Sequence, residues 1–138
     1  MRLRWGFGVE RLCRPYPTFF TSYFILMICN TYTLFQNKKC SVFYCHHCGN
    51  RISVLYGNIT VSFDEEEFLL FKESIHAPDI DEYFVVYPCE DKIHIRSALN
   101  TVFFSFSYRE ILDLRKILTE SYLRLQINKM LYLGNQNN

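Results

Sequence analysis

The chain has 138 residues, 49% of them hydrophobic and 17% aromatic, and a formal charge of +1. That is too apolar and too weakly charged for a disordered chain, and the length fits one domain. The charge is uneven: residues 1–39 hold six basic residues against Glu10 alone, whereas residues 40–138 hold nine basic against thirteen acidic. An acidic domain is ill-suited to a phosphate backbone, which is gripped by Lys and Arg, so nucleic acid is not expected as a partner.

Residues 1–39 read as an N-terminal extension outside the fold. Four arginines precede the apolar run Phe19–Cys29, in imitation of a signal peptide. Thr21 and Ser22 interrupt the run, and no A-x-A-like site follows it, Ala77 being the first alanine of the chain. Its 11 residues also fall short of a bilayer span, which takes about 20. Met27 is an alternative start. The expectation is a cytoplasmic protein with no membrane partner, unless the apolar run is an anchor. The six cysteines are accordingly not read as a disulfide framework.

Tyr44-Cys45-His46-His47-Cys48-Gly49-Asn50 is the segment with chemical promise. Cys-x-x-Cys-Gly has the form of a zinc knuckle, where the glycine lets the turn close and both thiolates face one metal. Cys45 and Cys48 are therefore candidate zinc ligands. A structural site wants four ligands; Cys40 and Cys89 are the added candidates, with His46, His47, His76 and His94 behind them. A thioredoxin-type dithiol belongs at a helix N-terminus, and a β-hairpin follows here instead. Thiol redox or metal handling at Cys45 and Cys48 is the alternative to a structural role. No nucleophile, base and oxyanion constellation is visible, so an enzyme is not expected.

Arg51–Phe63 predicts a hairpin, two β-rich runs around Gly57-Asn58, residues that tolerate the positive φ such turns need. A helix start follows. Ser62 with Glu65 has the capping-box spacing, with Asp64 as the competing N-cap. Phe68, Phe71 and Ile75 recur at helical spacing, and the helix should end before Pro78. The second half repeats the plan. Phe84–Tyr87 reads as a strand ending at Pro88, Lys92–Arg96 and Thr101–Phe106 alternate, and Ser107 with Glu110 forms another capping box. At an offset of 43, four of fourteen residues coincide between Ser62–Ile75 and Ser105–Leu118.

A long helix should then run from 108 to about 132. Ile111, Leu114, Leu118, Tyr122 and Leu125 form one stripe. Leu112, Ile117, Leu123, Ile127, Met130 and Leu131 form a second. Gly134 suits the C′ position, and residues 134–138 read as a frayed tail. At 1.5 Å per residue the helix measures about 38 Å, more than one small domain covers. A homodimer through this helix is the expected use of the second stripe.

From Tyr44 onward the chain resembles a family of small uncharacterised bacterial proteins, a domain of unknown function. The resemblance is carried by Cys45-x-x-Cys48-Gly49, Tyr56-Gly57-Asn58, Val61-Ser62-Phe63 with Glu67-Phe68, and Phe104–Ser107 with Glu110-Ile111 and Leu114. It implies no activity. The expectation is an α+β domain over residues 40–133, an antiparallel sheet built from two hairpin-helix units with two helices on one face. Its function would be that of a small interaction module.

Overall fold

The structure is a computed structural model that describes residues 31–97 and 102–136. The chain is an α+β fold. A four-stranded antiparallel meander runs β1 (Thr31–Gln36), β2 (Cys40–Cys45), β3 (Arg51–Tyr56) and β4 (Ile59–Phe63). Helix α1 (Glu65–His76) and the short α2 (Ile80–Val86) come next. A separate hairpin, β5 (Ile93–Arg96) and β6 (Phe103–Phe106), then leads into α3 (Tyr108–Gln136). The described residues form two compact units, 31–68 with 120–136, and 69–97 with 102–119.

In the first unit the register aligns Val42 with Val54 and Val54 with Val61, a buried valine row across three strands. Ile52 opposite Phe63 extends it. Branched side chains pack well on a pleated surface, which is why these runs choose strand over helix. A bulge between Thr33 and Phe35 interrupts the β1–β2 register, and Leu34 within it is fully buried. At the other turn Gly57 takes φ +57, as the two-residue hairpin demands.

Both predicted hairpin-helix units are present, β3–β4–α1 and β5–β6–α3. Their helix starts are built alike. Asp64 accepts from the Glu67 N–H at 2.7 Å, and Glu67 accepts from the Asp64 N–H at 3.0 Å. Ser107 and Glu110 repeat this reciprocal pair at 3.3 and 2.7 Å. The predicted Ser62–Glu65 box is thus displaced by Asp64–Glu67, because Ser62 still belongs to β4 and its side chain is held by Arg51. The Asp64–Glu67 box fits the offset of 43 better, placing Asp64 over Ser107 and Glu67 over Glu110. Phe63 and Phe68, on either side of the cap, meet edge to face at 6.1 Å and staple the chain entry.

Three expectations are corrected. Residues 31–36, assigned to an extension ending at 39, are β1, paired along β2. Phe84–Tyr87 is not a strand. Asp79 caps α2 by accepting from the Glu82 N–H at 3.0 Å, and the Tyr83–Phe84 and Phe84–Tyr108 ring pairs hold the turn. Gly134 does not end the long helix, which continues to Gln136. The signal-like run Phe19–Cys29 lies outside the described residues. No helix among them is long and apolar enough to cross a membrane.

Candidate functional site

Cys45 closes β2 and Arg51 opens β3, so residues 46–50 form the hairpin turn between them. Gly49 and Asn50 take φ +74 and +58 in succession. An L side chain pays for the left-handed region, and Asn tolerates it best. Asn50 is also anchored: its Oδ1 accepts the Tyr44 phenol at 2.7 Å. Burial first, then the Glu65 carboxylate, holds that phenol above its usual range, so it stays a neutral donor.

The thiols are dispersed. Cys40, Cys45 and Cys89 are free. Cys48 is disulfide-bonded, and not to any of these three. Cys40 and Cys45 are the two ends of one extended strand, about 16 Å apart at ~3.3 Å per residue. An odd offset also sends their side chains to opposite faces. Cys40 therefore does not join Cys45 on one metal, whose four ligands at ~2.3 Å would sit within about 4 Å of each other. Cys89 is exposed and belongs to the other unit. His76 and His94 are engaged there. His76 Nδ1 lies 2.7 Å from the Lys72 carbonyl, and His94 Nδ1 lies 2.7 Å from Ser105 Oγ. No group of three His, Cys, Asp or Glu side chains placed to hold a metal occurs among the described residues. For Cys45 and Cys48 to act as a ligand pair, Cys48 must first be reduced, since the thiolate is the ligand.

Around the turn lies a ring cluster that sequence reasoning missed. His46 sits 6.1 Å from the Tyr132 ring and 6.4 Å from the Tyr44 ring, and Tyr44 stacks on Tyr32 at 6.4 Å. The separation in sequence between His46 and Tyr132 hid it. The alternation of Tyr32 and Tyr44 on paired strands was the available clue.

Tyr132 belongs to the distal part of α3. Ile111, Leu114, Leu118, Ser121 and Leu125 are the buried stripe, and Leu125 is its last member. Beyond it Gln126 and Lys129 reach the Glu65 carboxylate at the start of α1. On the opposite side Leu123, Ile127, Met130 and Leu131 are 46% to 71% exposed. The predicted second stripe is therefore uncovered in this part.

The chain belongs to a family of unknown function (DUF6686), whose model matches residues 27–137. No curated protein and no solved structure matches it.

Proposed function

Because the family carries no assigned activity, the geometry carries the argument, and we propose that this chain is a small non-enzymatic interaction module that pairs with a second copy of itself through distal α3. The observation that supports this is the uncovered stripe Leu123, Ile127, Met130 and Leu131. Fully burying such a side chain is worth about 1.5–3 kcal/mol. These four are only 46% to 71% exposed, and burying that remaining part on two copies is of the same order as the roughly 4–15 kcal/mol that association costs. From Leu123 to Gln136 the charged residues are Lys129 and the exposed Arg124, and Glu65 holds Lys129. The four side chains of the stripe are themselves apolar, and a two-fold pairing sets the same apolar patch against its own copy. Replacing Ile127 and Met130 with Glu is expected to halve the mass measured by light scattering while leaving helicity by circular dichroism unchanged. An unaltered mass would remove α3 as the interface.

The cysteine turn supports a second reading. Gly49 and Asn50 supply the left-handed pair that lets a Cys-x-x-Cys turn close, and reduction would free Cys48 beside Cys45. Two thiolates would then be offered to a soft metal such as zinc, or to reversible oxidation. The 3% exposure of Cys45 weighs against ready thiol chemistry. Metal analysis of the reduced protein beside Cys45→Ser tests it: stoichiometric zinc lost in the variant supports a knuckle, a metal-free pair that oxidises reversibly supports the redox role, and a metal-free, inert pair removes both.

A further inference from the structure

The β5–β6 hairpin of the second unit has one covered face and one bare face. Ile93, Ile95, Phe104 and Phe106 are buried, and Phe71 of α1 meets Phe104 edge to face at 5.7 Å. Side chains alternate along a strand, so the residues between these point the other way. They are His94 and Arg96 on β5 and Phe103 and Ser105 on β6, all exposed. Lys92, just before the strand and at the same parity, is exposed as well.

The register also fixes where the backbone groups point. The Ser97 N–H donates to the Val102 carbonyl at 2.9 Å, and the pairing continues through Ile95 with Phe104 and Ile93 with Phe106. Hydrogen-bonded and non-hydrogen-bonded pairs alternate along an antiparallel ladder. Ile93 and Ile95 therefore bond across to β6, whereas the N–H and C=O groups of His94 and Arg96 face away from it. β5 is an edge of this two-stranded sheet, and no strand among the described residues pairs with that side. His94 and Ser105 form a non-hydrogen-bonded pair, in which side chains come closest, and Nδ1 lies 2.7 Å from Oγ.

The side chains along this edge are basic. Glu90 and Asp91 precede the row, but Lys92–Arg96 and Phe103–Ser107 contain no acidic residue. Neither Lys92 nor Arg96 makes an ion pair among the described residues. The guanidinium of Arg96 lies over the Phe103 ring instead, 5.5 Å from its centre. A free backbone edge thus coincides with cations that no carboxylate neutralises.

We infer that β5 takes an acidic, extended segment of another protein as an antiparallel third strand. The segment's backbone pairs with His94 and Arg96, and its carboxylates, at alternate positions, lie beside Lys92, His94 and Arg96. In this mode main-chain bonds supply affinity and alternate side chains supply selectivity. Side chains on one face of any strand repeat every ~7 Å, so an acid at every second residue matches the row one for one. Charges on an edge strand ordinarily prevent pairing. Here they prevent it selectively. Opposite charges across a ladder attract and like charges repel, so a basic strand or a second copy of β5 is turned away and an acidic strand is admitted. A nucleic acid would meet the same side chains, but it has no peptide backbone to pair with the edge, and residues 40–138 carry a net negative charge. The inference is independent of the α3 pairing, which uses the other unit.

The test uses the full chain and synthetic peptides read by fluorescence anisotropy. One peptide alternates Glu and Thr, a second alternates Lys and Thr, and a third is the Glu/Thr peptide N-methylated on its Glu residues, the amides that pair with His94 and Arg96. The Glu/Thr peptide should bind, less tightly as salt rises, and the other two should not. Lys92→Glu with Arg96→Glu should weaken binding about tenfold. Lys38→Glu, at an exposed cation of the first unit, should leave binding unchanged. Circular dichroism should confirm that each variant remains folded. No binding of the Glu/Thr peptide, equal binding of its N-methylated form, equal weakening by Lys38→Glu, or tighter binding of a single-stranded oligonucleotide of the same charge would overturn the assignment.

Discussion

The guanidinium of Arg51 stands 3.8 Å from the carboxylate of Glu67, joining the start of β3 to the first turn of α1. Both groups have further duties. Arg51 Nε donates to Ser62 Oγ at 3.2 Å and Nη2 donates to the Ser62 carbonyl at 3.0 Å. Glu67 closes the capping box on Asp64. With its side chain only 9% exposed, Arg51 is the charge that most needs partners. Arg51→Met is therefore expected to cost about 2–4 kcal/mol, since it removes both donors to Ser62 and the cation beside Glu67. Glu67→Gln keeps the acceptor for Asp64 and should cost only about 1 kcal/mol. Urea unfolding of the two single variants and the double variant measures both costs and their coupling.

The turn at Gly49 and Asn50 should be sensitive to backbone preference. Gly49→Ala meets open space, so any loss comes from its φ of +74. That places the cost at about 1 kcal/mol. Asn50→Gly relieves the same constraint but removes the acceptor of the Tyr44 phenol. Asn50→Ala suffers both effects and should be the least stable of the three. Thermal unfolding ranks them.

Cys40 is buried at the start of β2, and burial pushes its thiol up from 9.0 to about 11. The unfolded chain, with the lower pKa, ionises first as pH rises. The thiol's contribution is thus fully present below pH 9 and lost as pH climbs towards 11. Cys40→Ala should flatten the stability profile across that interval, whatever it costs at neutral pH. Below pH 9, alkylating reagents should modify the exposed Cys89 well before Cys40.

Local signals carried much of this fold. The Gly57-Asn58 hairpin, the helix stop before Pro78 and the Ser107–Glu110 box rest on neighbours within a few residues, and those rules are strong. The Asp64 cap was chosen against Ser62 by a long-range contact, the Arg51 hydrogen bond, which spacing does not reveal. Phe84–Tyr87 misled because an unbroken apolar run has no period; the Asp79-x-x-Glu82 cap was the better guide. At the site, the turn around Cys45 and Cys48 was legible. The strand Cys40–Cys45, which separates those two thiols, was not anticipated, and Cys40 was accordingly offered as a ligand beside Cys45. The His46–Tyr132 pairing depended on tertiary structure.

The central claim is that distal α3 pairs two copies of this chain, and sedimentation equilibrium of the wild-type protein across micromolar concentrations tests it most directly. The account predicts the mass of two chains, falling towards one only on dilution. The mass of a single chain at every concentration would contradict it.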